Sequence, residues 1–404
     1  MQFPPISKRQ GSLLALASVL ISALVLTACG SPTASRPPIT SPAYRFGVVG
    51  NHGAISQLQL DRPTPIAGIS GRIVQIATSN SDGYALTSDG VVWAWGVASF
   101  GELGNGTRPA YSTRAAKVDF PTGVRIATLA NPMPFDGALA IDSQGHAWGW
   151  GLNADGDLCL SGLTELRPVK LALAGITLAT GARTHSLVDS EGKIYACGSA
   201  EYGVLGTGST VNSSVPVPVV GLPESVSVTA LTSSWEGSGA LLSNGSYYNW
   251  GYNAAGQLGN GSTENSDVPV QVPLSEPVQQ VFQGGSGPKN GQSVAILTNG
   301  AVWAWGDNDR GQLGNGTRTS SDVPLRVDVP KGVSFVTVTS GGYASYAIDG
   351  SGRLWAWGDN RSGQLGTGSG TAIATAPLKV GIHAAQVSST AQNVAAFRND
   401  ARST

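Results

Sequence analysis

The chain has 404 residues, of which 12% are charged and 41% hydrophobic, and its net charge is −1. A charged share about half the usual one of roughly 25%, beside that much apolar content, excludes a disordered, solvated chain. The absence of any basic excess excludes the electrostatic footprint of nucleic-acid binding.

At the amino terminus Lys8 and Arg9 precede an apolar run over residues 13–26, and Leu26-Thr27-Ala28-Cys29 follows. A basic start, a 14-residue apolar stretch and small residues at its end predict a secretory signal. The run falls short of the about 20 residues that a spanning helix needs. Leu26-Thr27-Ala28-Cys29 also resembles the bacterial lipobox. That resemblance implies cleavage before Cys29 and a lipid such as palmitate on its thiol. Residues 1–28 are then the signal peptide, and 29–42 a lipidated cysteine with a Ser/Thr/Pro-rich tether. Loss of Lys8 and Arg9 leaves 22 basic against 25 acidic side chains, a net charge of −3. The expected location is a bacterial cell envelope, on the side of the membrane that faces away from the cytoplasm.

From residue 43 a phrase recurs. "WAWGDNDRGQLGNGTR" begins at Trp303, and its copies begin at Trp93, Trp148, Tyr195, Tyr248 and Trp355. The glycines that end the aromatic clusters, Gly96, Gly151, Gly198, Gly251, Gly306 and Gly358, lie 47 to 55 residues apart. A period near 50 marks stacked supersecondary units rather than a site that occurs once. Within a copy, Trp303 and Trp305 alternate with Ala304, which is the two-residue period of a strand. The counterparts of Ala304 are Ala94, Gly149, Ala196, Asn249 and Ala356, small enough for a sheet packed on both faces. Asn299-Gly300 and its equivalents, Asp89-Gly90, Gln144-Gly145, Glu191-Gly192, Asn244-Gly245 and Gly350-Ser351-Gly352, predict hairpins. Further apolar segments on either side bring each copy to four strands, the last containing a proline suited to an edge.

The two ends are incomplete in complementary ways. Residues 43–47, "AYRFG", are an aromatic strand without its predecessors, and residues from Ala384 onward supply predecessors without an aromatic strand. Together they predict a shared blade closing an all-β, seven-bladed β-propeller of four-stranded antiparallel blades over residues 43–404.

"WAWGDNDRGQLGNG" and "THSLVDSEGKIYACG" resemble the RCC1-type repeat. The family's histidine–serine pair is retained as His185-Ser186 alone. The other copies carry Gly83-Tyr84, Ala138-Leu139, Ser238-Gly239, Ser293-Val294 and Ser345-Tyr346 instead. The second copy departs further, with Cys159 at a glycine position.

No chemistry of catalysis stands out. "GGSGPKNGQS", residues 284–293, lacks the Gly-Lys-Ser/Thr of a phosphate loop. His52, His146, His185 and His383 have no metal-ligand spacing, and no Ser/His/Asp arrangement recurs. The chain is therefore expected to be no enzyme, to need no cofactor or metal, and to act as a monomeric scaffold. The expected partner is an unknown protein or glycan outside the cytoplasm, with membrane contact through the Cys29 lipid. Secreted β-lactamase inhibitor proteins resemble short-repeat relatives of this propeller, which implies inhibition of an extracytoplasmic enzyme as an alternative. Family analogy alone implies guanine-nucleotide exchange as another. Cys159 and Cys197 remain after lipidation, either as a disulfide of an exported protein or as two buried thiols.

The loop before the second strand of each copy varies while the frame repeats, as binding loops on a rigid scaffold do. The candidate binding face comprises Asp82, Phe135, Asp136, Arg183, Trp235, Glu236, Gln292, Tyr343 and Gln392. Trp235 is the tryptophan outside the repeated clusters, and it is the expected anchor.

Overall fold

A computed structural model describes residues 43–49, 58–79, 82–131, 133–134, 136–182, 185–190, 192–285, 291–368, 370–389 and 393–397. Their strands form seven four-stranded antiparallel sheets. Blade 1 runs Ile73–Thr78, Asp82–Thr87, Val92–Val97 and Tyr111–Lys117. Blade 2 is Ile126–Leu129, Gly137–Asp142, Ala147–Leu152 and Thr164–Lys170, and blade 3 is Ile176–Gly181, His185–Ser190, Lys193–Gly198 and Ser213–Pro218. Blade 4 is Val228–Ser234, Gly237–Leu242, Tyr247–Gly251 and Ser266–Gln271. Blade 5 is Val278–Gly284, Gln292–Leu297, Val302–Gly306 and Ser321–Arg326, and blade 6 is Phe335–Ser340, Ala344–Asp349, Arg353–Asp359 and Ile373–His383. Among the described residues the sole helix is the 3-10 turn Glu201–Gly203, and no helix is long and apolar enough to cross a membrane.

Blade 7 takes Gln386–Ser389 and Asn393–Phe397 from the carboxyl end and Ala43–Val49 and Leu58–Pro65 from the amino end. Ala43 pairs with Phe397 and Gly47 with Asn393, so the composite blade expected from the two incomplete ends is the one that forms. Among the described residues each blade packs against a neighbour on either side, the last against the first.

The hairpins follow from their glycines. Gly300 has φ +80°, and its equivalents Gly90, Gly145, Gly192, Gly245 and Gly352 have φ between +79° and +81°, a region that glycine enters without the cost of a Cβ. The fourth strands pair through β-bulges, as between Ala304 and Gly306, and carry Pro168, Pro216, Pro269, Pro324 and Pro377 at the blade edges, where no donor is needed.

The core lies between the blades. Trp95, Trp150, Trp250, Trp305 and Trp357 are fully buried, as are Ala94, Ala196, Asn249, Ala304 and Ala356 on the opposite face. Four of these indoles donate across a junction to the loop of the preceding blade: Trp150 to Glu102 O (3.0 Å), Trp250 to Val204 O (2.9 Å), Trp305 to Gln257 O (3.1 Å) and Trp357 to Gln312 O (2.9 Å). A buried N–H left without such a partner would cost about 1–3 kcal/mol. Nearer the axis, three glutamines act as peptide mimics. Gln75 donates to Leu129 O and accepts from Leu129 N, both at 2.8 Å. Gln386 does the same for Ile76 (3.1 and 2.8 Å), while Gln280 bridges to Thr337 Oγ1 (2.9 Å) and accepts from Val338 N (3.0 Å).

Strand register corrects one reading of the sequence. His185 pairs with Gly198, as Gly237 does with Gly251, Gln292 with Gly306 and Ala344 with Gly358. Ser186 is therefore equivalent to Ser238, Ser293 and Ser345, one residue away from the comparison made on sequence. The serine of the pair recurs, and the histidine is what these blades replace. In two of these blades the reason for keeping it is visible: Ser238 Oγ donates to Val204 O (2.8 Å) and Ser345 Oγ to Gln312 O (2.9 Å), the carbonyls that also receive the indoles, whereas Ser293 Oγ is buried without a hydrogen bond among the described residues.

Candidate functional site

One face of the ring is built from two sets of loops. The short loops joining first and second strands include 235–236 and 341–343. The long loops joining third and fourth strands include 153–163, 199–212, 252–265 and 307–320. Antiparallel pairing puts both sets at the same end of every blade. They are clamped together by a recurring bond: Leu152 N donates to Asp136 O, Tyr252 N to Glu236 O and Asp359 N to Tyr343 O, each at 2.8 Å, and Asp307 N to Gly291 O at 2.9 Å. The glycine ending each aromatic cluster permits the clamp. At Gly251 (φ +107°) a Cβ would lie 2.5 Å from Glu236 O.

Buried asparagines brace the long loops. Buried Asn253 donates through Nδ2 to Ser262 O (2.8 Å) and Glu264 O (2.9 Å), and its Oδ1 accepts from Leu258 N (2.9 Å). Asn308 holds Thr317 O, Thr319 O and Leu313 N in the same way. Each asparagine replaces ladder bonds that a loop cannot make internally.

The residues expected on the binding face divide into three groups. Trp235, Glu236, Asp136 and Tyr343 are half-buried and stand on this face. Asp82 and Gln292 are buried, at 1% and 0% exposure. Both begin a second strand and turn inward. Gln292 Nε2 donates to Ser340 Oγ (2.7 Å) and Gly341 O (2.6 Å) of the next blade, and Asp82 Oδ2 accepts from Ser79 Oγ (2.8 Å). These two join parts of the scaffold rather than offering themselves to solvent. Phe135, Arg183, Gln392 and Cys29 lie outside the described residues.

Two further residues belong to the face and escaped the sequence reading. Tyr202 and Tyr252, from adjacent blades, set their ring centroids 4.8 Å apart at 67°, an edge-to-face pair. Tyr202 sits at φ 58°, ψ 11°, a left-handed conformation costing of order 1–3 kcal/mol in a non-glycine residue. A hydrogen bond to Glu201, aided by the charges of Glu201 and Glu236, holds its hydroxyl above the usual phenol range. Tyr252 follows the clamp to Glu236, so Trp235, Glu236, Tyr202 and Tyr252 share the rim where blades 3 and 4 meet. Superposing the copies would have found the pair. Tyr202 stands where other blades have Phe100, Asp155, Ala255, Arg310 and Ser362, and Tyr252 where they have Val97, Leu152, Ser199, Asp307 and Asp359.

A second concentration of charge spans the junctions between blades 1 and 2 and between blades 2 and 3. Burial pushes Asp82 well above the carboxylate range, and the Glu102 charge adds to it. Burial also raises Glu102 to about 7 and Asp157 to about 8. Among the described residues no group of three or more His, Cys, Asp or Glu is arranged to hold a metal ion. These carboxylates are walls of the two junctions.

Sequence comparison matches the regulator of chromosome condensation (RCC1) repeat to residues 191–241, 244–287, 299–348 and 351–396, and a second form of that repeat to 335–364. The ultraviolet-B receptor UVR8 of Arabidopsis thaliana is 31% identical over 71% of this chain and 65% of its own length. The E3 ubiquitin-protein ligase HERC2 of Homo sapiens is 29% identical over 74% of this chain, which spans 6% of that protein. The chain thus spans less than two thirds of either. The mitochondrial RCC1 domain-containing protein RUG3 of Arabidopsis thaliana is 28% identical over 87% of this chain and 84% of its own length. Among solved structures, human WBSCR16 has a TM-score of 0.76 at 18% identity, over 89% of this chain and 99% of its own. Prp20p of Saccharomyces cerevisiae, studied for its binding to Gsp1p and histones, has 0.74 at 19% identity, over 90% and 93%. At such identities the structures speak for the fold alone.

Proposed function

Because the chain belongs to the RCC1-type repeat family of seven-bladed propellers, we propose that it is a non-enzymatic protein-binding scaffold, lipid-anchored at Cys29 and facing away from the cytoplasm of a bacterial cell. The aromatic rim at blades 3 and 4 carries the reading. Trp235, Tyr202 and Tyr252 gather half-buried rings on a clamped loop face, and rigid aromatics at low entropic cost are the side chains that anchor protein interfaces. Tyr202 holds its ring there in a strained backbone conformation. Partners of known propellers of this fold, such as Gsp1p and histones for Prp20p, make a protein the favoured ligand class over a glycan. A disulfide between Cys159 and Cys197 accords with an oxidising compartment outside the cytoplasm. Nucleotide exchange would require a cytosolic GTPase, from which export separates the chain. Inhibition of an extracytoplasmic enzyme such as a β-lactamase is this same scaffold with an enzyme as its partner.

Two measurements test the reading. Affinity capture from the envelope fraction with residues 30–404 as bait should retain a protein that Trp235→Ala or Tyr202→Ala releases, with binding weakened by about 2 kcal/mol or more and folding intact. Capture indifferent to both substitutions refutes the rim as the site. Cys29→Ala should move the protein from the membrane to the soluble fraction, since several acyl chains on one cysteine hold what a single chain does not. Retention at the parental level refutes the anchor.

A further inference from the structure

The junction between blades 2 and 3 is made differently from its neighbours. At four junctions a third-strand tryptophan lies against a loop glycine of the preceding blade. A Cβ at Gly104 would come within 2.9 Å of Trp150, and one at Gly206, Gly259 or Gly314 within 2.6 Å of Trp250, Trp305 or Trp357. Only a residue without a side chain fits under those rings. The register of the copies puts Cys159 at the position of Gly259 and Cys197 at that of Trp305. Cys159 keeps the glycine backbone, with φ 57°. Cys197 Sγ lies 3.7 Å from Asp157 O, the carbonyl equivalent to Gln257 O, which receives the Trp305 indole. The two sulfurs are bonded, with 5.4 Å between the α-carbons, inside the range that a disulfide requires. Both substitutions were needed: the small thiol removes the indole that would exclude Cys159, and the second thiol refills the gap.

We infer that Cys159–Cys197 is a redox-dependent staple that replaces the glycine–tryptophan contact at this junction, so that the integrity of the ring depends on thiol oxidation here. Closure converts two thiols to one S–S bond, and two protons and two electrons pass to a disulfide of an oxidoreductase or small thiol. Opening takes them back from a dithiol, which is itself oxidised to a disulfide. Cys197 is fully buried and Cys159 is 6% exposed, so exchange requires the two blades to part. The bond closes a loop of 38 residues of sequence separation, long enough to restrict the unfolded chain substantially.

The test uses the full chain carrying Cys29→Ala, in which Cys159 and Cys197 are the remaining cysteines. Peptide mass analysis without reductant should find Cys159 and Cys197 in one linked species. Reductant should lower Tm by about 5–10 °C and speed amide exchange first in the strands of blades 2 and 3. Adding Cys159→Gly and Cys197→Trp rebuilds the contact of the other junctions. That variant should fold cooperatively, melt near the oxidised parent and ignore reductant. Unlinked peptides, or a parental Tm equal with and without reductant, overturn the staple. A rebuilt variant that melts no higher than the reduced parent overturns the equivalence of the two junction types.

Discussion

Blades 4 to 6 are joined by near copies of one contact, whereas blades 1 to 3 vary the side chains that make it. In the regular half, Gln257, Gln312 and Gln364 fold back onto their loops, accepting from Ala255 N (2.8 Å), Arg310 N (2.8 Å) and Ser362 N (3.0 Å). Gly259 and Gly314 then receive Trp305 and Trp357. In the irregular half the glutamine position holds Glu102, Asp157 and Val204, and one glycine–tryptophan contact has become a disulfide. Glu102 still accepts from Phe100 N (2.8 Å), but its buried Oε1 has no hydrogen-bond partner among the described residues. The repeat family is matched from residue 191 onward, although the blades before it have the same topology. The backbone design therefore requires that the junction be filled and its carbonyls satisfied, and leaves the chemistry of filling open.

The largest effect should come from removing the junction that uses both termini. Deleting residues 43–49 takes away the strand that pairs with Asn393–Phe397 and exposes the inner faces on either side. Loss of a single cooperative melting transition, followed by circular dichroism, is the expected result. An unchanged transition would show that ring closure contributes nothing.

Next come the core substitutions in the regular half. Trp305→Ala removes a fully buried indole and should cost about 3–5 kcal/mol in denaturant unfolding. Gly314→Ala should cost about 1–3 kcal/mol, because the new methyl would sit 2.6 Å from Trp357 at a φ of +67°. If Gly314→Ala were neutral, the tight glycine–tryptophan contact would not be what excludes side chains there.

A further effect is a change of slope with pH. The ordinary value of Glu102 is 4.5 and its folded value about 7; for Asp157 they are 3.8 and about 8. Between those limits the folded chain holds more protons than the unfolded one at these groups. Their contribution to stability is full at low pH, falls as pH rises through the window and is constant above it. Glu102→Gln with Asp157→Asn replaces each carboxylate by its amide, so Tm should gain at pH 8 relative to its change at pH 4. Parallel Tm–pH curves for parent and variant would remove these carboxylates from the comparison.

Much of the fold was legible because a repeat states its local rules six times. The hairpin glycines, the two-residue alternation of Trp303 and Trp305, the edge prolines and the complementary ends are all short-range patterns, and each fixed a strand, a turn or the closing blade. The candidate face was legible in part. Trp235 stood out because it fell outside the repeated clusters, yet Tyr202 and Tyr252 did not, since each looks ordinary within its own copy.

What tertiary structure alone decided is everything that lies across a junction. Asp82 and Gln292 look like variable loop residues in sequence, but they start second strands whose first side chains turn into the scaffold. The one-residue difference that aligns Ser186 with Ser238 and Ser345 was settled by ladder pairing, because a single-residue slip exchanges the two faces of a strand. Cys159 and Cys197 are 38 residues apart and lie in a turn and a strand respectively. They meet only because one replaces a glycine and the other the tryptophan that packs on it from the next blade. A period determines what each blade is made of; the contact between neighbouring blades depends on side chains that no single copy contains.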